Sequence, residues 1–160
     1  MKSLVVYSSQ TGNTRKLAET ICEHLPSGAL MCHVDEAPDP ADYDFVALGF
    51  WLQGGRPDPK SAAYLKRLMG HKKVFFFATH GANPNSDHAQ KAMINARALA
   101  EAATVVGSFN CYGEDNPKVL VKAKAKLEPP EWLDDATYAV GHPDHSDLER
   151  LRASLATVVR

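Results

Sequence analysis

Five short apolar runs alternate along the chain with stretches in which apolar residues return every three or four positions. The three central runs are almost continuously apolar, which is typical of strands covered on both faces. The stretches between them have the period of amphipathic helices. The runs predicted to be strands are SLVVY (3–7), ALMCHV (29–34), YDFVALGF (43–50), KVFFFATH (73–80) and TVVGSFNCY (104–112).

Crossover helices are predicted between these strands, the first over residues 13–25, where Leu17, Ile21 and Leu25 lie four residues apart. The alternation predicts an α/β fold with a doubly wound parallel sheet. The link over residues 35–42 is irregular, because a parallel crossover normally needs a dozen residues or more. We therefore expect the second strand at an edge beside the first, and the third strand on the other side of the first.

Ligands of such sheets bind outside the carboxyl ends of the strands, where the strand order reverses. Three polar or glycine-containing segments follow the strands concerned: SSQTGNT (8–14), GFWLQGGRPDP (49–59) and THGANPNSDH (79–88). The first holds only hydroxyls, amides and a glycine, and it enters a predicted helix near Asn13. Neutral donors at a helix N-terminus favour an anion such as phosphate, although a simple helix cap would use the same residues.

The SQTGNT segment (9–14), directly after the first strand, resembles the phosphate-binding T/S-x-T-G-x-T signature of the flavodoxin family. Neither the Walker lysine nor a GxGxxG pattern is present. The resemblance implies a flavodoxin-like five-stranded parallel sheet of order 2-1-3-4-5, with helices on both faces, that holds one FMN and carries electrons between redox enzymes. The residues it implies around the FMN phosphate are Ser9, Gln10, Thr11, Gly12, Asn13 and Thr14.

The second segment places Trp51 at a strand end, where its face could stack on the flat flavin ring. A core-packing role is the alternative for this tryptophan. The resemblance implies that Leu52 and Gln53 also border the ring, and that the Gly54–Gly55 peptide turns its carbonyl toward flavin N5. This tryptophan comes earlier in the segment than the aromatic residue of the best-known flavodoxins.

For the third segment, the resemblance implies that Thr79, His80 and Gly81 offer backbone N–H groups to the pyrimidine edge of the flavin. The segment contains no tyrosine to stack on the outer ring face. We therefore expect that face to be open, or covered by His80, Asn83 or Tyr112.

Composition narrows the function classes. The chain has 160 residues, 44% of them hydrophobic, which fits one domain over residues 1–160. A net charge of −1 does not suggest a nucleic-acid-binding surface. No apolar stretch approaches membrane-spanning length. Three cysteines without a CxxC pair fit reduced thiols and a cytoplasmic location.

Charge also bears on the redox chemistry, because fully reduced FMN is an anion. Arg56 and Lys60 lie in or after the second segment. A nearby cation would stabilise the reduced flavin and raise its potential. The same cations make an acidic docking surface on a redox partner protein more plausible than a basic one.

Other features are less specific. His142 and His145 are interpreted as solvated histidines in a turn, before a last helix that SDLE (146–149) would cap. Cys111 is interpreted as an inert buried thiol. The run KVLVKAKAKL (118–127) fits a half-exposed strand or a helix, and residues 128–145 fit a lid, a docking surface or simple packing.

Three functions remain from the sequence. The first is an FMN-binding electron carrier. The second is an FMN-dependent NAD(P)H oxidoreductase that acts on a quinone or another small acceptor, although no nicotinamide-binding motif is visible. The third is a flavin-free interaction domain of the same fold.

Overall fold

The computed structural model describes residues 1–26, 28–71 and 73–159, and it has the predicted alternation of strands and helices. The strands are β1 (Ser3–Tyr7), β2 (Leu30–His33), β3 (Phe45–Gln53), β4 (Arg56–Pro57), β5 (Val74–His80) and β6 (Val105–Tyr112). The α-helices are α1 (Asn13–His24), α2 (Pro59–Arg67), α3 (Asp87–Leu99), α4 (Pro117–Lys124) and α5 (His145–Ala156). Short 3-10 helices span Val34–Glu36, Pro40–Asp42 and Glu131–Ala139.

The five long strands are parallel and lie in the order β2-β1-β3-β5-β6. The two-residue strand β4 pairs antiparallel with the end of β3. When β4 is set aside, the order is 2-1-3-4-5, so the predicted topology is confirmed. The second strand lies at the edge beside β1, and the short link to β3 is made of two 3-10 helices in place of a crossover helix.

The sheet is covered on both faces, and β5 is buried along its whole length. Phe50 and Phe76 pack with α2 and α3 on one face, whereas Phe75 and Phe77 pack with α1 and α5 on the other. Full burial of such a side chain contributes roughly 1.5–3 kcal/mol. These two layers hold the carboxyl ends of the central strands in fixed positions.

The structure settles one alternative and corrects one prediction near the C-terminal half. The run 118–127 contributes a helix, α4, and no strand among the described residues. The predicted cap at Ser146 is wrong, since α5 begins at His145, two residues earlier than that cap implies, and Asp144 is its N-cap. Asp144 and Asp147 each accept a hydrogen bond from the other's backbone N–H, so a pair of aspartates fills the capping box. Of the described helices, none has the length and apolarity needed to span a bilayer.

Candidate functional site

A cavity of about 450 Å³ lies at the carboxyl ends of β1, β3 and β5, within the usual size range of small-molecule sites. All three sequence segments border it, and a fourth border comes from residues 113–132. From the three segments the lining residues are Ser9, Gln10, Thr11, Asn13, Thr14, Trp51, Leu52, Gln53, Gly54, Gly55, Thr79, His80, Gly81, Ala82 and His88. Gly12 alone among the fourteen predicted site residues is not part of this lining.

The loop after β1 is stabilised by a hydrogen bond between two of its own residues. Gly12 is the N-cap of α1 in the left-handed conformation, with φ of 88°, and its N–H donates to Ser9 Oγ at 3.0 Å. The first N–H groups of α1 have no acceptor inside the helix. Together with the positive end of the helix dipole, they form a site for an anion at the cavity wall. Gly12 therefore shapes the loop from behind the surface that a ligand would touch.

One buried and one exposed hydrogen bond anchor this loop to its neighbours. Thr14 and Thr79, both at most 4% exposed, share a hydrogen bond of 3.0 Å between their hydroxyls. Asn13 Nδ2 donates to the Glu114 carbonyl at 2.9 Å. The loop is thus tied to the ends of β5 and β6, so its backbone N–H groups are positioned before any ligand arrives.

Asp58 is a buried anchor that the sequence analysis did not single out. Its carboxylate accepts hydrogen bonds from Ser8 Oγ at 2.8 Å, from the Ser61 N–H and from the Trp51 N–H. It is 1% exposed and is the N-cap of α2. The signal was present in the sequence, since an aspartate before Pro59 is a typical helix start. Asp58 therefore joins the first and second segments beneath the cavity.

The second segment forms a tight hairpin between β3 and β4. Gln53 pairs with Arg56, so Gly54 and Gly55 alone make the turn, with φ of 61° and 76°. Two consecutive positive φ values are those of a type I′ turn, which favours glycine at both positions. Trp51 precedes this turn, is partly buried and lines the cavity; its stacking on a ring stays a prediction.

The third segment holds His80 as a neutral, structural side chain. Its Nδ1 lies 2.9 Å from the Ala82 carbonyl and its Nε2 lies 2.9 Å from Asn110 Nδ2. Since the amide nitrogen can only donate, Nε2 accepts and Nδ1–H donates. Burial lowers the pKa of His80 to about 4. Of the three residues proposed to cover the outer ring face, His80 lines the cavity, whereas Asn83 and Tyr112 are not among the described lining residues.

The fourth border was missed by the sequence analysis. It consists of Gly113, Glu114, Asp115, Asn116, Val119, Lys122, Ala123, Lys126 and Trp132. Trp132 had been placed only in an undecided segment. The run 118–127 fitted a strand as well as a helix, so nothing local in the sequence indicated that α4 would border the cavity.

The cations at the cavity differ from those expected. Lys122 of α4 and Lys126, two residues after the end of that helix, line it. Arg56 is exposed on β4 and Lys60 is paired with Asp35 at 2.8 Å; neither belongs to the described lining. Arg56 pairs with Gln53 across the Gly54–Gly55 turn, and this antiparallel pairing was not predicted from the sequence.

Asp115 is a half-buried carboxyl in the cavity wall. Its Oδ2 is buried and, within the described part of the chain, has no hydrogen-bond partner. Burial, and secondarily the negative charge of Glu114, raises the pKa of Asp115 to about 6. A carboxyl of this kind changes its protonation state close to neutral pH.

Two other sequence candidates lie away from the cavity lining. His142 Nδ1 lies 2.5 Å from Asp147 Oδ2, and Arg150 also donates to Asp147, so His142 is hydrogen-bonded to a buried carboxylate and is not the solvated histidine that was predicted. His145 is solvated, with 87% of its side chain exposed. Burial strongly raises the pKa of the Cys111 thiol, in agreement with an inert cysteine.

The cavity residues fit the FMN that the resemblance implies. Helix-terminal N–H groups and hydroxyls suit a phosphate at one end. Trp51 and the Gly54–Gly55 turn suit a flat ring farther along the cavity. The orphaned Asp115 oxygen is a polar group in the wall that lacks a partner from the described protein.

Comparisons with known proteins agree with this geometry. A family model described as a flavodoxin domain matches residues 4–156. A flavodoxin-like domain-containing protein, BilS, of Clostridioides difficile is 31% identical, with 92% of this chain and 90% of that protein covered.

Two solved structures have the same fold. One is a Lactobacillus acidophilus flavoprotein in complex with FMN, with a TM-score of 0.56 and 17% identity over 68% of this chain and 92% of that one. The other is two-electron reduced Megasphaera elsdenii flavodoxin, with a TM-score of 0.56 and 21% identity over 86% and 97% of the two chains. The cavity lies at the strand ends that the sequence motif indicated. This chain belongs to the flavodoxin domain family.

Proposed function

We propose that this protein binds FMN and transfers electrons to a partner redox enzyme. The observation that carries the proposal is the arrangement of one cavity, with a phosphate-type helix N-terminus at one wall and Trp51 with a Gly-Gly turn at another. Family membership supports FMN as the cofactor. A cytoplasmic location stays a prediction from the sequence.

FMN supplies the reversible acceptance of electrons, and the residues of this chain hold and tune it. Ser9, Gln10, Thr11, Asn13 and Thr14 would bind the phosphate without providing acid or base chemistry. The Gly54–Gly55 turn can exchange between types I′ and II′ by rotation of its central peptide, because glycine accepts both backbone conformations. This peptide is our candidate for the carbonyl that responds to the protonation state of flavin N5.

The lysines of α4 would direct the partner. Lys118, Lys122 and Lys124 of this helix and Lys126 just after it are all exposed, and two of the four line the cavity. Val121, on the same helix, is 68% exposed. A cationic surface with an apolar side chain beside the cofactor is complementary to an acidic surface on a partner protein. The opposite charges would steer the partner toward the cavity.

The docking proposal is tested with the variant Lys118→Glu/Lys124→Glu, since these two residues do not line the described cavity. We expect slower electron transfer to an acidic acceptor protein and a weaker dependence of the rate on ionic strength. The matched control is Lys66→Glu/Arg67→Glu, at the end of α2. Equal effects of the two double variants would contradict docking at α4.

The function itself is tested by the visible spectrum and by anaerobic reduction. We expect the purified or FMN-reconstituted protein to be yellow, to stay oxidised with NADPH alone, and to pass electrons to an acceptor protein after reduction by dithionite. Rapid reduction by NADPH without a partner would favour the NAD(P)H oxidoreductase. A colourless protein that does not bind added FMN would favour the flavin-free interaction domain.

A further inference from the structure

Asp115 lies where a titratable carboxyl can sense the charge of a ligand in the cavity. It is in the segment after β6 and lines the same cavity as Trp51 and the loop after β1. Its Oδ2 is removed from solvent and finds no partner among the described residues. A buried polar atom without a partner is costly, so a structural role alone does not account for this side chain.

The contact with Gly81 places the carboxyl beside the third segment. A Cβ atom at Gly81 would lie 2.6 Å from Asp115 Oδ1, closer than real Cβ contacts. Only glycine allows this approach. Gly81 is one of the residues expected to face the flavin, and the carboxyl is packed directly against it.

We propose that Asp115 takes up a proton from solvent when the bound FMN receives its last electron, and that it thereby couples electron transfer to pH. The proposal rests on the proposed function, since it requires FMN in this cavity. The step is balanced: the electron comes from the external reductant, and one proton converts the Asp115 carboxylate into a neutral carboxylic acid. The negative charge gained by the flavin is thus compensated beside it.

The charge environment favours this response. Glu114 precedes the carboxyl in the chain and its charge disfavours ionisation of Asp115. The other titratable groups that line the cavity are His80, which is neutral, His88 on α3, and Lys122 and Lys126 on the α4 side. Both lysines are exposed, so solvent screens them. A new negative charge in the cavity disfavours the carboxylate further and raises the pKa of Asp115 above the value of about 6 that burial and Glu114 already give it.

The direct test is the pH dependence of the potential of the last electron, measured by anaerobic titration from pH 5 to 9. Above about 6 we expect the wild-type potential to fall with a slope of about 59 mV per pH unit, the one-electron equivalent of a tenfold change in proton activity. At higher pH, once Asp115 stays ionised in both states, the potential becomes constant. Asp115→Asn, which cannot titrate, should remove the sloping region.

Glu114→Gln is the matched control, because it removes the neighbouring charge and keeps the titrating carboxyl. We expect the sloping region to remain and to begin at lower pH. A slope that persists in Asp115→Asn, or that disappears only in Glu114→Gln, would overturn the proposal. If Asp115→Asn does not fold, Asp115→Ser replaces it, and a wild-type potential without any sloping region overturns the proposal by itself.

A second readout does not depend on electron transfer. The carboxyl carbon of Asp115, followed by NMR in the apoprotein, should titrate near 6. Titration of this carbon near its ordinary value of about 4 would overturn the proposal. Failure to bind FMN at pH 8 would overturn the proposed function as well, whereas FMN binding with an unchanged slope in Asp115→Asn overturns proton uptake alone.

Discussion

The loop after β1 and the α4 segment border the same cavity, but they are held in different ways. The loop is fixed by buried hydrogen bonds, such as Ser8 to Asp58 and Thr14 to Thr79, and α1 packs against the sheet core. In contrast, α4 buries only Ala123. The comparison indicates that one wall is organised before FMN binds, and that the other can adjust to the cofactor or to a partner.

The largest expected effect comes from the buried anchor of the organised wall. Asp58→Ala leaves Ser8 Oγ and the N–H groups of Trp51 and Ser61 without their acceptor. We expect a loss of about 2–4 kcal/mol in the free energy of unfolding, measured by urea denaturation. The matched variant is Asn116→Ala, which removes the N-cap of α4 and should cost about 1 kcal/mol. An equal or larger loss in Asn116→Ala would contradict the comparison.

Substitution of the two tryptophans that line the cavity tests how much the organised wall and the α4 wall each contribute to FMN affinity. Trp51 is held by β3 and Trp132 by a 3-10 helix. We expect Trp51→Ala to weaken FMN binding about tenfold, since ring stacking contributes on the order of 1 kcal/mol beyond burial. Trp132→Ala should have a smaller effect in the same fluorescence titration. Equal losses of FMN affinity would contradict the comparison, because both walls would then contribute equally to binding the ring.

A smaller effect is expected from the cavity lysines. Lys122→Gln/Lys126→Gln should lower the potential of the fully reduced flavin, because two exposed cations near an anion are removed. The shift should shrink at high salt. Arg56→Gln is the control and should leave the potential unchanged, as Arg56 lies outside the described lining. A lower potential in Arg56→Gln, with an unchanged potential in the lysine variant, would support the sequence-based expectation that Arg56 raises the flavin potential.

The smallest effect concerns the stability of the apoprotein. The pKa of Asp115 is raised to about 6 by folding, so the folded state binds more protons than the unfolded state between its ordinary value of about 4 and that point. Relative to Asp115→Asn, the wild type should therefore be most stable below pH 4 and should lose stability as pH rises to 6. Urea unfolding at several pH values measures this. Parallel stability curves would contradict the raised pKa.

Features encoded within short segments were predictable. The apolar runs predicted the strands, the short link over 35–42 placed the second strand beside the first, and the resemblance implied the remaining order. SQTGNT (9–14) and Gly54–Gly55 indicated two walls of the cavity. Trp132 and Asp115 could not be predicted, because their positions depend on how the chain continues after β6, where the sequence fitted either a strand or a helix. Lys60 was misplaced for a similar reason: Asp35, 25 residues away in the chain, pairs with it.

The most direct test of the central claim compares FMN with riboflavin, which lacks the phosphate. If the loop after β1 binds that phosphate, apoprotein should bind FMN at least about 100-fold more tightly than riboflavin, since two hydrogen bonds to a charged group contribute about 3 kcal/mol or more. Flavin fluorescence quenching measures both affinities under one set of conditions. Equal affinities for FMN and riboflavin would contradict the account.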